Sequence, residues 1–246
     1  MVRVFRTIPA QSIRLLVFDL DGTLIDSVDD LCASVNAMLR HFGRPALPSR
    51  VIAGYVGDGA SLLVRRALGD PSDELFVESA LGYFLDYYRD HKLDHTRIYP
   101  GVFPALDALL RRPDGTARSM AVLTNKPIVP SIAICEALDL SRYLFRIYGG
   151  NSFSSKKPDP EGLYALIQEA GVTPAETIMV GDTPVDTLTA RNAGAWSIGC
   201  SYGLAPLTLE SPLPDCIVDS PSEWPKALEA GGSPPISSEI VEPLTE

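Results

Sequence analysis

The hydrophobic and polar positions of this chain follow two alternating patterns. Short apolar runs, typical of strands buried on both faces, occupy residues 13–18, 119–123, 144–149, 177–180, 196–200 and 216–218. Amphipathic stretches, typical of helices, occupy residues 102–111, 129–138, 160–170, 185–193 and 222–230. Because strands and helices alternate along the chain, the sequence predicts an α/β fold with a doubly wound parallel sheet.

One long block after the first strand departs from this alternation. Residues 24–97 indicate helices throughout. The apolar face of the first helix, which ends before Gly43, is formed by Leu31, Val35, Met38, Leu39 and Phe42. Further helices are predicted over residues 60–68 and 72–91. We therefore expect an α/β core built from residues 1–23 and 98–230, with residues 24–97 inserted into it as a helical domain.

Composition limits the possible partners. The chain has 246 residues and is 46% hydrophobic, which is enough for a sizeable core. Its net charge of −10 disfavours binding to nucleic acid or to an anionic membrane. No apolar run has the length of a membrane span or a signal peptide, so a cytoplasmic protein is expected. Residues 231–246 are polar and proline-rich, which predicts a disordered tail.

Candidate chemistry begins where the first strand ends. Asp19 and Asp21 follow the apolar run, and Gly22 comes directly after them. Ligands of open α/β sheets bind outside the carboxyl ends of the strands, and paired carboxylates there suit a divalent metal and a phosphate. The same residues would also suit an ordinary solvated turn, so this motif alone leaves both interpretations open.

Three further signals follow other apolar runs. Thr124 and Asn125 end the run at 119–123 and offer a hydroxyl and an amide to a phosphate. Lys157 precedes a proline that favours an extended approach. Asp182 and Asp186, one helical turn apart, follow the run at 177–180, although acids are also common at helix N-termini for reasons of stability. The adjoining residues Lys126 and Lys156 are expected to be solvated.

Together these motifs resemble those of phosphatases of the haloacid dehalogenase superfamily, over about 215 residues. They stand as Asp19-Leu20-Asp21-Gly22-Thr23, Thr124-Asn125, Lys157-Pro158 and Gly181-Asp182-x-x-x-Asp186, in the order of that family. The resemblance implies a Rossmann-like sheet with strand order 3-2-1-4-5. The Asp19 strand would then be central, between the strands that carry Thr124 and Asp182. The helical insertion would form a cap over the pocket.

Within that superfamily, phosphoglycolate phosphatases are the most similar. The residues that carry this finer resemblance are Asp26-Ser27, Gly54-Tyr55-Val56-Gly57-Asp58-Gly59, Arg66-Ala67-Leu68, Tyr99-Pro100-Gly101-Val102 and Lys156-Lys157-Pro158. Sugar-phosphate phosphatases and mutases related to β-phosphoglucomutase share most of these features. A haloacid dehalogenase proper would lack the second carboxylate, Asp21. A catalytically silent binding module is a further alternative, which the intact motifs disfavour.

The resemblance also implies roles for the motif residues. Asp19 would attack phosphorus and form an aspartyl-phosphate, while Asp21 would act as the general acid and base. A magnesium ion (Mg²⁺) would be held by Asp19, Asp182 and the backbone carbonyl of Asp21. The phosphoryl group would be bound by Thr124, the Asn125 amide and Lys157. Asp186 would not bind the metal or the substrate directly, but would contact a metal-bound water or Lys157.

Substrate selection is assigned to the insertion, where the sequence is less informative than it is for the core motifs. Free amides of the turn around Gly57 and Gly59 could receive a small carboxylate, and Arg66 could pair with it. The turn could equally be a plain hinge, and Arg66 a solvated surface residue. The expected partner is a small phosphorylated metabolite, and the expected assembly is a monomer or a homodimer.

Overall fold

The computed structural model describes residues 2–112, 114–204 and 212–229. The strands are β1 (Arg3–Val4), β2 (Leu15–Phe18), β3 (Ile25–Asp26), β4 (Arg97–Ile98), β5 (Ser119–Leu123), β6 (Arg146–Tyr148), β7 (Thr177–Gly181), β8 (Trp196–Cys200) and β9 (Cys216–Val218). The α-helices are α1 (Val28–His41), α2 (Ser49–Ala53), α3 (Ala60–Ala67), α4 (Glu74–His91), α5 (Val102–Leu110), α6 (Ile128–Ala137), α7 (Glu161–Ala170), α8 (Pro184–Ala193) and α9 (Trp224–Glu229).

Seven of these strands form one sheet in the order β1-β9-β8-β7-β2-β5-β6. All neighbours pair in parallel except β1, which runs antiparallel to β9. The predicted doubly wound fold and its order 3-2-1-4-5 are confirmed, and β9 and β1 extend the sheet at one edge. Strand β1 was not predicted, because two exposed residues carry no apolar periodicity.

The centre of the sheet brings the motif strands together. Every residue of β2 is fully buried, as its unbroken apolar sequence predicts. Phe18, its last residue, is in register with Val122 on one side and Val180 on the other. The chain therefore leaves β2, β5 and β7 at the same edge of the sheet, which is where the candidate polar residues begin.

Helices α1 to α4 occupy the chain between β3 and β4, which pair with each other in a separate antiparallel ladder. The predicted helices of this block are present, and α4 is capped by Asp73, whose side chain accepts a hydrogen bond from Phe76 N at 3.0 Å. The short helix α2 and the β3–β4 ladder were not predicted. Elements of two to five residues are too short to display a period.

One buried carboxylate ties the start of this block to its end. Asp30, in the first turn of α1, accepts hydrogen bonds from His95 N at 2.9 Å, Thr96 N at 2.8 Å and Thr96 Oγ1 at 2.7 Å. Burial would raise the pKa of Asp30, but these hydrogen bonds from Thr96 and His95 outweigh it and hold the pKa below its ordinary value. The two chain segments that join the helices to the sheet are thus held side by side.

The predicted tail at 231–246 lies outside the described residues. Among the described helices, none combines the length and the apolar character that crossing a bilayer requires.

Candidate active site

The carboxyl edge of the sheet places Asp19 against a buried lysine. Lys157 Nζ lies 2.9 Å from Asp19 Oδ1 and donates a hydrogen bond to Asp186 Oδ1 at 2.6 Å. All three side chains are almost completely buried. The predicted association of Asp19, Lys157 and Asp186 in one cluster is what the structure displays.

Asp186 is fixed by the way in which α8 begins. Its Oδ2 atom accepts hydrogen bonds from Thr183 N at 3.1 Å and from Thr183 Oγ1 at 2.7 Å. The bond from Thr183 N and the reciprocal bond from Asp186 N to the Thr183 side chain form a capping box at the start of the helix. The other oxygen of Asp186 is thereby directed at Lys157. Asp186 therefore orients the lysine while satisfying the first turn of its own helix.

The electrostatics of this cluster are those of ionisable groups removed from water. Burial raises the pKa of Asp19 to about 6, against the opposing effect of Lys157. Burial would lower the pKa of Lys157, but the charges of Asp186 and Asp19 outweigh it and raise the pKa above its ordinary value. Lys157 is thus a permanently charged cation beside a carboxylate whose ionised form costs free energy.

The carboxylates here fit a hard divalent cation. Oxygen atoms of Asp19, Asp182 and Asp186 lie within 4.8 Å of one another. Asp19 Oδ1 is buried and in ionic contact with Lys157, yet it accepts no well-oriented hydrogen bond within the described part of the chain. An all-oxygen, negatively charged donor set with an incompletely satisfied oxygen is the kind of site that Mg²⁺ occupies in proteins.

Asp182 is held in a narrow cradle. Its Oδ1 atom lies 3.4 Å from Thr23 Oγ1, and its Oδ2 atom accepts a hydrogen bond from Leu204 N at 2.8 Å. A side chain at Gly22 or at Gly203 would overlap the Asp182 carboxylate, so both positions require glycine. Gly203 and Leu204 were not singled out from the sequence, because they belong to the loop after β8 and carry no catalytic side chain.

Asp21 lies in a second cluster with a different lysine. Lys126 Nζ donates to both carboxylate oxygens of Asp21 at 2.9 Å, and Ser27 Oγ donates to Asp21 Oδ1 at 2.5 Å. The expectation that Lys126 is solvated is therefore wrong, since only 4% of its side chain is exposed. Helix α4, which is distant in sequence, places the Tyr88 ring over this lysine. The residues around Lys126 in the sequence therefore do not predict its burial. Lys156, in contrast, is exposed as expected, and its Nζ donates to Asp58 O at 3.1 Å.

The Thr124–Asn125 pair lies between the two clusters and is buried. The Asn125 side chain donates to Gly57 O and to Lys157 O, each at 2.9 Å. It therefore joins the glycine-rich turn of the insertion to the loop that carries Lys157. This bridging role was not predicted from the sequence, which pointed only to the Asn125 backbone amide.

A cavity of about 50 Å³ opens between the sheet edge and the insertion. Its polar wall includes Asp19, Asp21, Thr124, Asn125, Lys126 and Asp182, and Gly57 and Gly59 also border it. Its apolar wall comes largely from the insertion and includes Leu63, Phe84 and Tyr88.

Arg66 is placed away from this cavity. Its guanidinium forms an ion pair with Asp58 Oδ2 at 2.6 Å and lies 3.4 Å from Tyr55 O, and Arg66 is not among the residues that line the cavity. The structure therefore brings Gly57 and Gly59, but not Arg66, to the cavity that Asp19 and Asp21 line.

Comparison with known proteins gives a consistent family assignment. A family model for haloacid dehalogenase-like hydrolases matches residues 16–200. The phosphoglycolate phosphatase of Pseudomonas putida is 40% identical over 207 residues, which cover 81% of this chain and 74% of that protein. The phosphoglycolate phosphatase of Vibrio parahaemolyticus is 36% identical over 223 residues, which cover 87% of this chain and 95% of that protein.

Solved structures agree. A predicted phosphoglycolate phosphatase from Haemophilus somnus superimposes with a TM-score of 0.79 at 29% identity, covering 86% of this chain and 96% of that one. A predicted phosphatase from Clostridium acetobutylicum gives a TM-score of 0.77 at 25% identity, covering 89% and 99% of the two chains. The residues matched by the family model include all four motifs. The chain therefore belongs to the haloacid dehalogenase-like hydrolase family, among its phosphatases.

Proposed function

We propose that this phosphatase hydrolyses a small phosphomonoester in a magnesium-dependent reaction through an aspartyl-phosphate on Asp19, and that 2-phosphoglycolate is its substrate. The observation that carries the proposal is the pair of carboxylates at one sheet edge, each on its own buried lysine: Asp19 with Lys157, and Asp21 with Lys126. Phosphoryl transfer through a covalent intermediate needs two carboxylates with separate roles, because the first is bonded to phosphorus in the intermediate and cannot also transfer protons.

In the first half-reaction, a carboxylate oxygen of Asp19 forms a bond to phosphorus. The bond between phosphorus and the ester oxygen breaks, and its electron pair leaves with that oxygen, which takes a proton from Asp21. Lys157 opposes the charge of the phosphoryl oxygens, and Thr124 and the Asn125 amide hold one of those oxygens. Positioning and charge neutralisation of this kind account for most of phosphoryl-transfer catalysis.

In the second half-reaction, Asp21 takes a proton from a water molecule as the water oxygen attacks phosphorus. The bond between phosphorus and the Asp19 oxygen breaks, which releases inorganic phosphate and restores the Asp19 carboxylate. Asp21, protonated again, is ready for the next ester. The same side chain thus serves as acid and then as base.

Mg²⁺ would be held by Asp19, Asp182 and the backbone carbonyl of Asp21, and when bound it supplies positive charge between the attacking carboxylate and the phosphoryl oxygens. Asp186 keeps the ammonium group of Lys157 directed at Asp19. Thr23 and Leu204 keep Asp182 in place.

Residues 24–97 are proposed to act as a cap domain. Helices α1 to α4 stand on two short connecting strands, and side chains of α3 and α4 form the apolar wall of the cavity. Covering the site in this way would exclude bulk water while the alcohol part of the substrate is bound. Curated relatives that bear the name phosphoglycolate phosphatase support the choice of substrate.

The test is phosphate release from a panel of esters: 2-phosphoglycolate, glycerol phosphates, sugar phosphates and p-nitrophenyl phosphate, each with magnesium and with chelator. We expect 2-phosphoglycolate to have the highest kcat/KM and chelator to abolish turnover. A mutase related to β-phosphoglucomutase would instead interconvert glucose 1-phosphate and glucose 6-phosphate with little release of phosphate. Failure to hydrolyse any ester would overturn the proposal, as would full activity in chelator.

A further inference from the structure

Lys126 is a buried cation that the reaction described above does not use. Its ammonium group contacts both oxygens of Asp21 at 2.9 Å and lies 4.6 Å from the centroid of the Tyr88 ring. Burial raises the pKa of Tyr88 to about 12, so the ring is a neutral phenol that attracts the cation through its π-face. Burying an ammonium group in this way costs free energy unless its partners compensate for the lost contact with water.

The position of Lys126 relative to the reaction follows from its contact with Asp21. Asp21 must meet the ester oxygen that leaves, so its neighbours border the alcohol part of the substrate. Lys157 contacts Asp19 instead and borders the phosphoryl group. Among the described residues that line the cavity, Lys126 is the only cation. It is therefore the positive charge that an anionic alcohol part would meet.

The ammonium group of Lys126 can also change its ion-pair partner more easily than that of Lys157. Lys157 is held between two carboxylates, those of Asp19 and Asp186. Lys126 has one carboxylate partner, Asp21, and its other close neighbour is an uncharged ring. A second anion that entered the cavity could therefore take over the Lys126 ammonium without leaving that cation unpaired.

We propose that Lys126 recognises a carboxylate on the alcohol part of the substrate, and that its transfer to this carboxylate frees the Asp21 side chain to turn to the leaving oxygen. The inference rests on the proposed function and deepens it, because it names the residue that selects an anionic ester. An ester without the carboxylate leaves Lys126 on Asp21 and leaves Asp21 occupied. Selection would then act on the rate of the reaction as well as on binding.

This assignment replaces Arg66 as the candidate for carboxylate recognition. Arg66 is already paired with Asp58 and lies away from the cavity lining. Lys156 is exposed, donates to Asp58 O of the same glycine-rich turn and is not among the residues that line the cavity. Lys156 thus provides a control: a lysine that contacts the glycine-rich turn through Asp58 O and has no contact with Asp21.

The test uses two esters that differ in one group: 2-phosphoglycolate and 2-hydroxyethyl phosphate, in which a hydroxymethyl group replaces the carboxylate. The wild-type protein should prefer the carboxylate ester in kcat/KM by a factor on the order of 100. Lys126→Met should reduce this preference at least about tenfold, mainly by slowing the carboxylate ester. Lys156→Met should keep the wild-type preference. Circular dichroism and thermal unfolding would verify that both variants fold.

Equal losses on the two esters in Lys126→Met would overturn the inference and leave Lys126 as a support for Asp21 alone. A wild-type protein without preference for the carboxylate ester would overturn it whether or not the variant folds. If neither ester is hydrolysed while other phosphomonoesters are, the proposed substrate fails, and 2-phosphoglycerate with glycerol 2-phosphate becomes the test pair. A carboxylate preference that depends on Lys126 in that pair would sustain the inference without 2-phosphoglycolate.

Discussion

The site contains two buried lysine–aspartate pairs, Lys157 with Asp19 and Lys126 with Asp21, and different parts of the molecule surround them. Lys157 and its carboxylates, Asp19 and Asp186, come from the α/β core alone, with Asp186 in the first turn of α8. Lys126 and Asp21 also come from sheet loops, but Tyr88 of the inserted helix α4 completes their surroundings. The first pair would be present in the α/β core without any insertion, whereas the burial of the second depends on it. The comparison suggests that the core provides the chemistry and that the insertion adjusts it to the substrate.

The largest effect should come from Asp19→Asn. The amide has almost the same volume but cannot attack phosphorus, so phosphate release should fall by a factor on the order of 10⁴ or more on every ester. The measurement is steady-state phosphate release, with circular dichroism to verify the fold. Activity within tenfold of the wild type would show that Asp19 is not the nucleophile.

Lys157→Met should come next and should be indifferent to the leaving group. Without the ammonium group, the phosphoryl oxygens lose their fixed cation, and kcat/KM should fall about 10³-fold on alkyl and aryl esters alike. The comparison with Lys126→Met is decisive, because that change should act mainly on carboxylate esters. A Lys157→Met loss confined to carboxylate esters would remove the distinction between the two pairs.

Asp21→Asn should separate esters by their leaving group. Alkyl esters need a proton on the leaving oxygen and should slow by about 10² to 10⁴-fold, whereas p-nitrophenyl phosphate, whose phenolate is a good leaving group, should slow less. Rates on both substrates under the same conditions provide the check. Equal losses would count against the acid role of Asp21.

The smallest effect should come from loosening the insertion at Asp30, which is not among the residues that line the cavity. Asp30→Asn weakens charged hydrogen bonds to His95 and Thr96, and the free energy of unfolding at pH 7 should fall by about 2 kcal/mol. The pKa of Asp30 lies below its ordinary value of 3.8 in the folded protein, so this stabilisation is present above that value and is lost as pH falls through the lowered pKa.

Urea unfolding of the wild type and of Asp30→Asn would measure this difference between pH 7 and about pH 3. The difference between the two midpoints should shrink as pH falls below 3.8 toward the acid end. A constant difference across that range would show that the Asp30 charge is not the source of the stability.

The parts of the site that could be predicted from the sequence are those written into single strands and the turns that follow them. Asp19 follows the buried run of β2, and Asp182 follows that of β7, so register alone brings them to one edge. The burial of Lys126 could not be predicted, because it arises from Tyr88, which reaches the site only through the packing of the insertion. Arg66 likewise does not line the cavity but forms an ion pair with Asp58, which the sequence does not predict.

Elements that lack a period were also missed. The ladder between β3 and β4 contains two residues in each strand, too few to show the alternation of a half-buried sheet. These strands nevertheless decide where the insertion leaves the core and returns to it. Asp30 supports the same junction from α1, through hydrogen bonds to residues more than sixty positions later.

The central claim, that Asp19 carries the phosphoryl group while Asp21 serves as acid and base, can be tested by trapping the intermediate. The wild type, Asp19→Asn and Asp21→Asn would each be mixed with magnesium and p-nitrophenyl phosphate, quenched in acid within milliseconds, digested, and analysed by mass spectrometry. In Asp21→Asn the second half-reaction lacks its base, so the peptide that contains Asp19 should accumulate one phosphoryl group, whereas Asp19→Asn should carry none. Ester hydrolysis by the wild type with no phosphoryl group on Asp19 in either the wild type or Asp21→Asn would contradict the account.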